Sequence, residues 1–291
     1  MQTLKRPEGS EPEDFHLTRR GVAGLFFAGF APAALSAEAD PMVTDDQGLV
    51  FEEVHYPSAG FDLPAYVARP AAAGRHPTIL VVNEVFGLHA YIKDICRRLA
   101  KLGYVAIAPA FFARAGDPAP LTDMAAIMKI VGATPDAQVM GDVGATLAWL
   151  KGRPYVAARK LGVTGFCWGG GVVWLACERF PELKAGVAWY GRMAPAPGAT
   201  PVAGRLWPID DVKNLSAPVL GLYGAKDQLS ASVPAMRAAL VAAGKKDTEI
   251  VVYPDAGHGF HADYRATYVE ADAKDGWARM LAHFRRFGVA A

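Results

Sequence analysis

Nine residues, Val163-Thr164-Gly165-Phe166-Cys167-Trp168-Gly169-Gly170-Gly171, constrain the fold more than any other stretch of the chain. They have the form G-x-C-x-G-G. The apolar run 161–164 that leads in reads as a buried strand, and the apolar run 171–177 that leads out reads as the start of a helix. A cysteine between them sits on a tight strand-to-helix turn, where the glycines at 165 and 169 keep Cβ atoms out of a crowded backbone. The free N–H groups and positive dipole end of the following helix favour a thiolate at Cys167 and an oxyanion beside it. The competing reading is that Cys167 is a small buried hydrophobe at a glycine-rich packing corner.

Around that stretch, strand and helix patterns alternate. Residues 51–56 and 63–69 read as an antiparallel hairpin turning at Ser58-Ala59-Gly60. The unbroken apolar run 78–82 suits a strand buried on both faces. Residues 91–102 place Ile92, Ile95, Leu99 and Leu102 on one helical face, and Gly103 stops the helix. Further strands are expected at 104–108, 161–164, 184–189, 218–223 and 249–253. Helices are expected near 121–131, 136–150 and 267–287. Residues 191–210, rich in Pro, Gly and Ala, form an excursion that could cover a pocket. This order predicts an α/β fold: a mostly parallel central sheet with helices on both faces. Residues 40–291 show no repeat and no linker, so they are expected to form a single domain.

With 291 residues, 52% of them hydrophobic, and a net charge of +1 without basic runs, the chain can bury a sizeable core and shows no nucleic-acid signature. Three cysteines, Cys96, Cys167 and Cys177, do not make a disulfide framework. No clustered His/Cys set suggests a metal, and no cofactor is expected.

Residues 1–39 read as an export leader. Arg19-Arg20 precede an uncharged stretch, 21–37, and Ala37-Glu38-Ala39 offers small residues for cleavage. The apolar stretch, broken by Pro32, is short for a membrane span. The paired arginines suggest the twin-arginine export machinery as a partner and a periplasmic or secreted location. A cytoplasmic chain whose N-terminal amphipathic helix packs through Phe26, Phe27 and Phe30 is the alternative.

A thiol nucleophile needs a base, and the base needs an orienting acid. The loop after strand 218–223 carries Asp227, and the loop after 249–253 carries His258. Both follow strand ends in the chain order nucleophile, acid, histidine. Asp255 is read as a turn residue or a loop cap. His261 and Asp263 are read as the start of the last helix or as solvent-facing. Cys96 and Cys177 are read as packing residues. Strand 78–82 runs into Asn83-Glu84-Val85-Phe86-Gly87, which puts the Glu84 carboxylate on the same rim, either as a second partner of the thiol or as a helix cap. Arg114, following Phe111 and Phe112 on another rim loop, is either an anion site or a surface residue.

Taken together, Asn-Glu-Val-Phe-Gly at 83–87, Ala-Pro-Ala-Phe-Phe-Ala-Arg at 108–114, Gly-Phe-Cys-Trp-Gly-Gly at 165–170, Trp-Tyr-Gly at 189–191 and Ala-Gly-His-Gly-Phe at 256–260 resemble the dienelactone hydrolase (carboxymethylenebutenolidase) family. The resemblance implies an α/β-hydrolase fold and cleavage of a small-molecule lactone or ester through a cysteine acyl-enzyme. It implies that Cys167, Asp227 and His258 form a triad and that Glu84 interacts with the resting thiol. By the same resemblance, the backbone N–H groups of Val85 and Trp168 form an oxyanion hole, and Arg114, Tyr190 and Phe86 lie on the substrate side. One departure is visible. Four residues after the histidine, where the family's well-studied enzymes carry an arginine, this chain has Ala262, and the nearest arginine is Arg265. The reaction type is therefore better supported than dienelactone as its substrate.

Overall fold

The structure, a computed structural model, describes residues 41–291 apart from 197 and 199–201. The leader anticipated at 1–39 lies outside the described residues.

The chain enters through a hairpin of β1 (Leu49–Ser58) and β2 (Phe61–Pro70). Ala59 and Gly60 make the turn with φ of 48° and 77°, the mirror-image geometry whose twist matches that of the flanking strands. β3 (His76–Val82), β4 (Val105–Pro109), β5 (Val156–Phe166), β6 (Leu183–Trp189), β7 (Val219–Gly224) and β8 (Glu249–Tyr253) complete the sheet. Its spatial order is β1-β2-β4-β3-β5-β6-β7-β8. The β1–β2 and β2–β4 pairs are antiparallel and every later pair is parallel.

Successive side chains of a strand point to opposite faces, so an unbroken apolar strand feeds two cores. In β3, Leu80 and Val82 join one apolar cluster, and Ile79 and Val81 join the other. The first face is covered by α3 (Asp136–Lys151) and α4 (Trp168–Arg179), through residues such as Leu147 and Trp174. The second is covered by α1 (Ala90–Lys101) and α7 (Glu270–Arg286). There, Ile92, Ile95 and Leu99 of α1 and Trp277, Met280 and Phe284 of α7 supply the apolar stripes.

Three further helices complete the described chain: α2 (Met124–Gly132), a single turn α5 (Pro208–Asp211) and α6 (Val233–Ala242). α6, between β7 and β8, is not among the elements expected from sequence. It buries only Val233, Met236 and Leu240 among ten residues, and so narrow a stripe leaves a weak periodic signal. Among the described residues, no helix is long and apolar enough to cross a membrane.

Because β3, β5, β6, β7 and β8 are parallel neighbours, their C-terminal ends lie along one edge of the sheet. The loops leaving them carry Glu84, Cys167, Tyr190, Asp227 and His258 in that order, and this is what gathers residues 84 to 258 at one rim.

Candidate active site

β5 ends at Phe166 and α4 begins at Trp168, so Cys167 alone makes the turn. Its φ of 56° and ψ of −117° lie in a region that L-residues rarely occupy. Neighbouring backbone holds it there: its N–H donates to the Trp189 carbonyl at 3.0 Å, and its carbonyl accepts from Gly170 N–H at 3.0 Å. The glycines are sterically required. A Cβ on Gly165 would lie 2.5 Å from the Gly169 oxygen, and one on Gly169 would lie 2.5 Å from the Val82 oxygen. The turn is thus pressed between the ends of β3 and β6, and Cys167 stays partly exposed.

Asp227 and His258 come together as the chain order predicts. Asp227 Oδ2 accepts from His258 Nδ1 at 2.7 Å, while Oδ1 accepts from Leu229 N–H at 3.0 Å. Asp227 therefore both orients the histidine and caps the short helical turn after it. Burial pushes the imidazole pKa down, but the Asp227 hydrogen bond and the adjoining Cys167 outweigh it and raise the value to about 10. With Nδ1 engaged by Asp227, Nε2 is the nitrogen left for Cys167.

Glu84 is fully buried. Its Oε2 accepts from Tyr264 Oη at 2.6 Å and lies 3.3 Å from His89 Nε2, and its Oε1 lies 3.7 Å from Arg265 Nη1. Burial pushes the carboxyl pKa up, yet His89, Arg265 and Tyr264 together hold it below the usual value. Glu84 is thus an ionised buried carboxylate. Tyr264, His89 and Arg265 are its polar partners.

Two sequence expectations are corrected. His261 and Asp263 are buried, neither helix-starting nor solvent-facing. His261 lies between Trp189 and Trp277 with Nδ1 2.6 Å from Tyr91 Oη, and Asp263 pairs with the buried Arg98 of α1. These contacts fasten the loop after His258 to α1. Nothing local in the sequence signals them, because Tyr91 and Arg98 lie more than a hundred residues earlier.

Arg114 does not present a free guanidinium. It pairs with Asp142 through two hydrogen bonds of 2.6 and 2.9 Å, donates to the Ser58 carbonyl at 2.7 Å and lies over the Phe61 ring at 4.6 Å. The hairpin and α3 claim it. Tyr190 is fully buried in a left-handed conformation, φ 40°, with its ring edge-on to His258 at 5.1 Å. Phe86 is buried, and Arg265 lies 5.4 Å over its ring.

Val85 lies three residues past the end of β3, and Trp168 directly follows Cys167. Trp168 is the first residue of α4, so its N–H has no partner inside the helix. Asp255 is an exposed turn residue paired with Lys226, as expected. Cys96 and Cys177 are buried, and all three cysteines are free. What sequence reasoning did not reach is that Tyr264, His89 and Arg265 converge on Glu84. The one available signal was that Tyr264 and Arg265 stand two and three residues beyond Ala262, where an arginine is expected.

A mostly parallel sheet whose Cys167 turn, Asp227 loop and His258 loop lie at its C-terminal rim is the α/β-hydrolase fold. The model of the dienelactone hydrolase family matches residues 63–288, and the chain belongs to that family. It is 48% identical over 279 residues to a protein of Methylorubrum extorquens named "Putative carboxymethylenebutenolidase", covering 94% of each chain. It is 47% identical to a protein of the same name from Salmonella typhimurium, over 90% of this chain and 96% of that one. Among solved structures it superposes on one titled putative dienelactone hydrolase from Klebsiella pneumoniae. The TM-score is 0.77 with 47% identity, covering 82% of this chain and 99% of that chain. The protein is a carboxymethylenebutenolidase-like hydrolase.

Proposed function

We propose that the protein hydrolyses a lactone or carboxylic ester through a thioester on Cys167. The observation that carries this reading is the Asp227–His258 hydrogen bond of 2.7 Å beside a cysteine held on a strained turn at a helix N-terminus. An imidazolium at His258 stabilises a thiolate at Cys167 by its charge. The thiolate attacks the ester carbonyl carbon and a C–S bond forms. The N–H groups of Val85 and Trp168 receive the oxyanion. As the tetrahedral centre collapses, the C–O bond breaks and His258 gives its proton to the leaving alkoxide. Water then adds to the thioester, giving a proton to His258. The C–S bond breaks, the thiolate returns and the acid leaves. In a lactone both products remain one hydroxy- or oxo-acid.

The test is turnover of dienelactone and of activated esters by the chain and by Cys167→Ala, with intact-protein mass spectrometry during turnover. The expected result is Cys167-dependent turnover and an adduct of the acyl mass on Cys167. Turnover that survives Cys167→Ala overturns the mechanism, and ester turnover without dienelactone turnover removes that substrate alone.

The paired arginines, apolar stretch and small-residue exit of residues 17–39 support export through the twin-arginine machinery to the periplasm or beyond. Loss of export of a reporter fused to the leader on replacing Arg19-Arg20 by Lys-Lys is the expected outcome. Unchanged export by that route overturns this assignment.

A further inference from the structure

Residues 41–46, ahead of β1, have no regular secondary structure, yet Met42, Val43 and Thr44 are buried. A peptide N–H in such a place needs an acceptor. The Thr44 N–H donates to Asp94 Oδ1 of α1 at 2.7 Å. The Thr44 hydroxyl has no hydrogen bond among the described residues, so it is the backbone of this arm that holds Asp94. A few residues on, Lys101 at the end of α1 donates to Asp45 Oδ1 at 2.6 Å and to the Gln47 carbonyl at 2.7 Å. The arm is thus clipped to α1 at two points.

Asp94 passes the first contact on. Its other oxygen, Oδ2, accepts from Arg98 Nε at 2.7 Å, and Arg98 Nη2 pairs with Asp263. Asp263 lies in the loop after His258, next in sequence to Tyr264, whose phenol holds Glu84 at 2.6 Å. Backbone hydrogen bonds carry the position back toward the histidine: Arg265 N–H donates to the Ala262 carbonyl and Ala262 N–H to the Gly259 carbonyl, each at 2.9 Å. Thr44, Asp94, Arg98 and Asp263 are all buried, so each bond between them is strengthened by its surroundings and costly to leave open. Without the Thr44 donor, Asp94 Oδ1 keeps Arg97 at a long 3.5 Å. A buried carboxylate in that position draws the Arg98 fork into a two-pronged pair, and the hold on Asp263 slackens.

We infer that the arm at 42–44 and Arg98 are positioning elements for the reaction, acting through Asp263 to hold the loop that carries His258 in its working position. The inference rests on the hydrolase reading above for what His258 does, and goes beyond it in giving a task to a segment far from that loop in sequence. On the export reading, the small-residue exit at 37–39 lies just ahead of the arm, so removal of the leader there spares it.

The experiment compares the full chain with Thr44→Pro, which deletes the N–H donor, and Thr44→Ala, which keeps it, at a temperature where circular dichroism shows each chain folded. It reads kcat and KM for 4-nitrophenyl acetate, and the rate at which iodoacetamide alkylates Cys167 at neutral pH. For Thr44→Pro the expected result is a kcat lower by about tenfold or more with KM within about twofold, and alkylation slower by about threefold or more. Thr44→Ala is expected to match the parent on both. Unchanged kcat and alkylation in a folded Thr44→Pro chain overturn the proposal, as does an equal loss in Thr44→Ala. Asp263→Asn weakens the far end of the same route and is expected to give the same losses. It decides the matter if Thr44→Pro does not fold: an unchanged Asp263→Asn chain overturns the proposal. The double variant is expected to lose no more than the more affected single one, because both changes cut one route, and losses that multiply overturn it. A parent chain without turnover defeats the hydrolase reading alone, since alkylation still reports on His258 beside Cys167.

Discussion

Tyr264 donates its phenolic proton to Glu84 at 2.6 Å across 180 residues of sequence, joining the loop after His258 to the loop after β3. Both groups are buried. The bond is made to the charged form of Glu84, and such bonds contribute more than neutral ones. Tyr264→Phe is expected to destabilise the chain by about 2 kcal/mol at neutral pH. The folded carboxyl pKa is depressed, so this stabilisation is present above the unfolded carboxylate pKa and is lost as pH falls through the folded value. Denaturation of both chains across the acid range is therefore expected to show the gap closing as pH falls.

Asp227→Asn removes the acceptor that orients His258 and helps to raise its pKa. A fall in kcat/KM on the order of a thousandfold or more is expected with an activated ester. The His258 titration, followed by NMR, is expected to move down from about 10. Since that pKa is raised in the folded state, its contribution to stability is complete below the unfolded histidine value and disappears as pH rises through about 10. Asp227→Asn therefore loses most stability at neutral and acid pH and least in strong alkali.

Cys167 occupies a backbone conformation, φ 56° and ψ −117°, that suits glycine. Cys167→Gly and Cys167→Ala both remove the thiol, but only glycine relieves the strain. Cys167→Gly is expected to exceed Cys167→Ala in stability by about 1 kcal/mol, measured by chemical denaturation.

Glu178, near the end of α4, is buried, and neither carboxylate oxygen is hydrogen bonded among the described residues. Burial, and then Asp211, push its pKa up to about 9, against the pull of Arg179. The folded chain holds it protonated over a window in which the unfolded chain ionises it, so stability falls as pH rises from the usual carboxylate value to about 9. Glu178→Gln is expected to stabilise the chain by about 2 kcal/mol at mildly alkaline pH, with the gain vanishing below about pH 4. A gain independent of pH in thermal denaturation would mean that charge is not its cause.

What the sequence determined about this protein is what short-range chemistry can carry. The glycines at 165 and 169 and the apolar runs on either side of Cys167 admit one local structure, a strand turning sharply into a helix. Parallel strands then oblige the loops with Asp227 and His258 to share its edge, so the Asp227–His258 pair followed from chain order alone. Tertiary structure decided how the remaining charges are matched. Arg114 is taken by Asp142, His261 by Tyr91, Asp263 by Arg98, and Glu84 by Tyr264, His89 and Arg265. Most of those partners lie on different elements, and buried charges pair with whatever the packing of the helices and loops brings within reach. Whether an arginine at the rim meets a substrate or a neighbour depends on that packing, which residue type and local spacing do not encode.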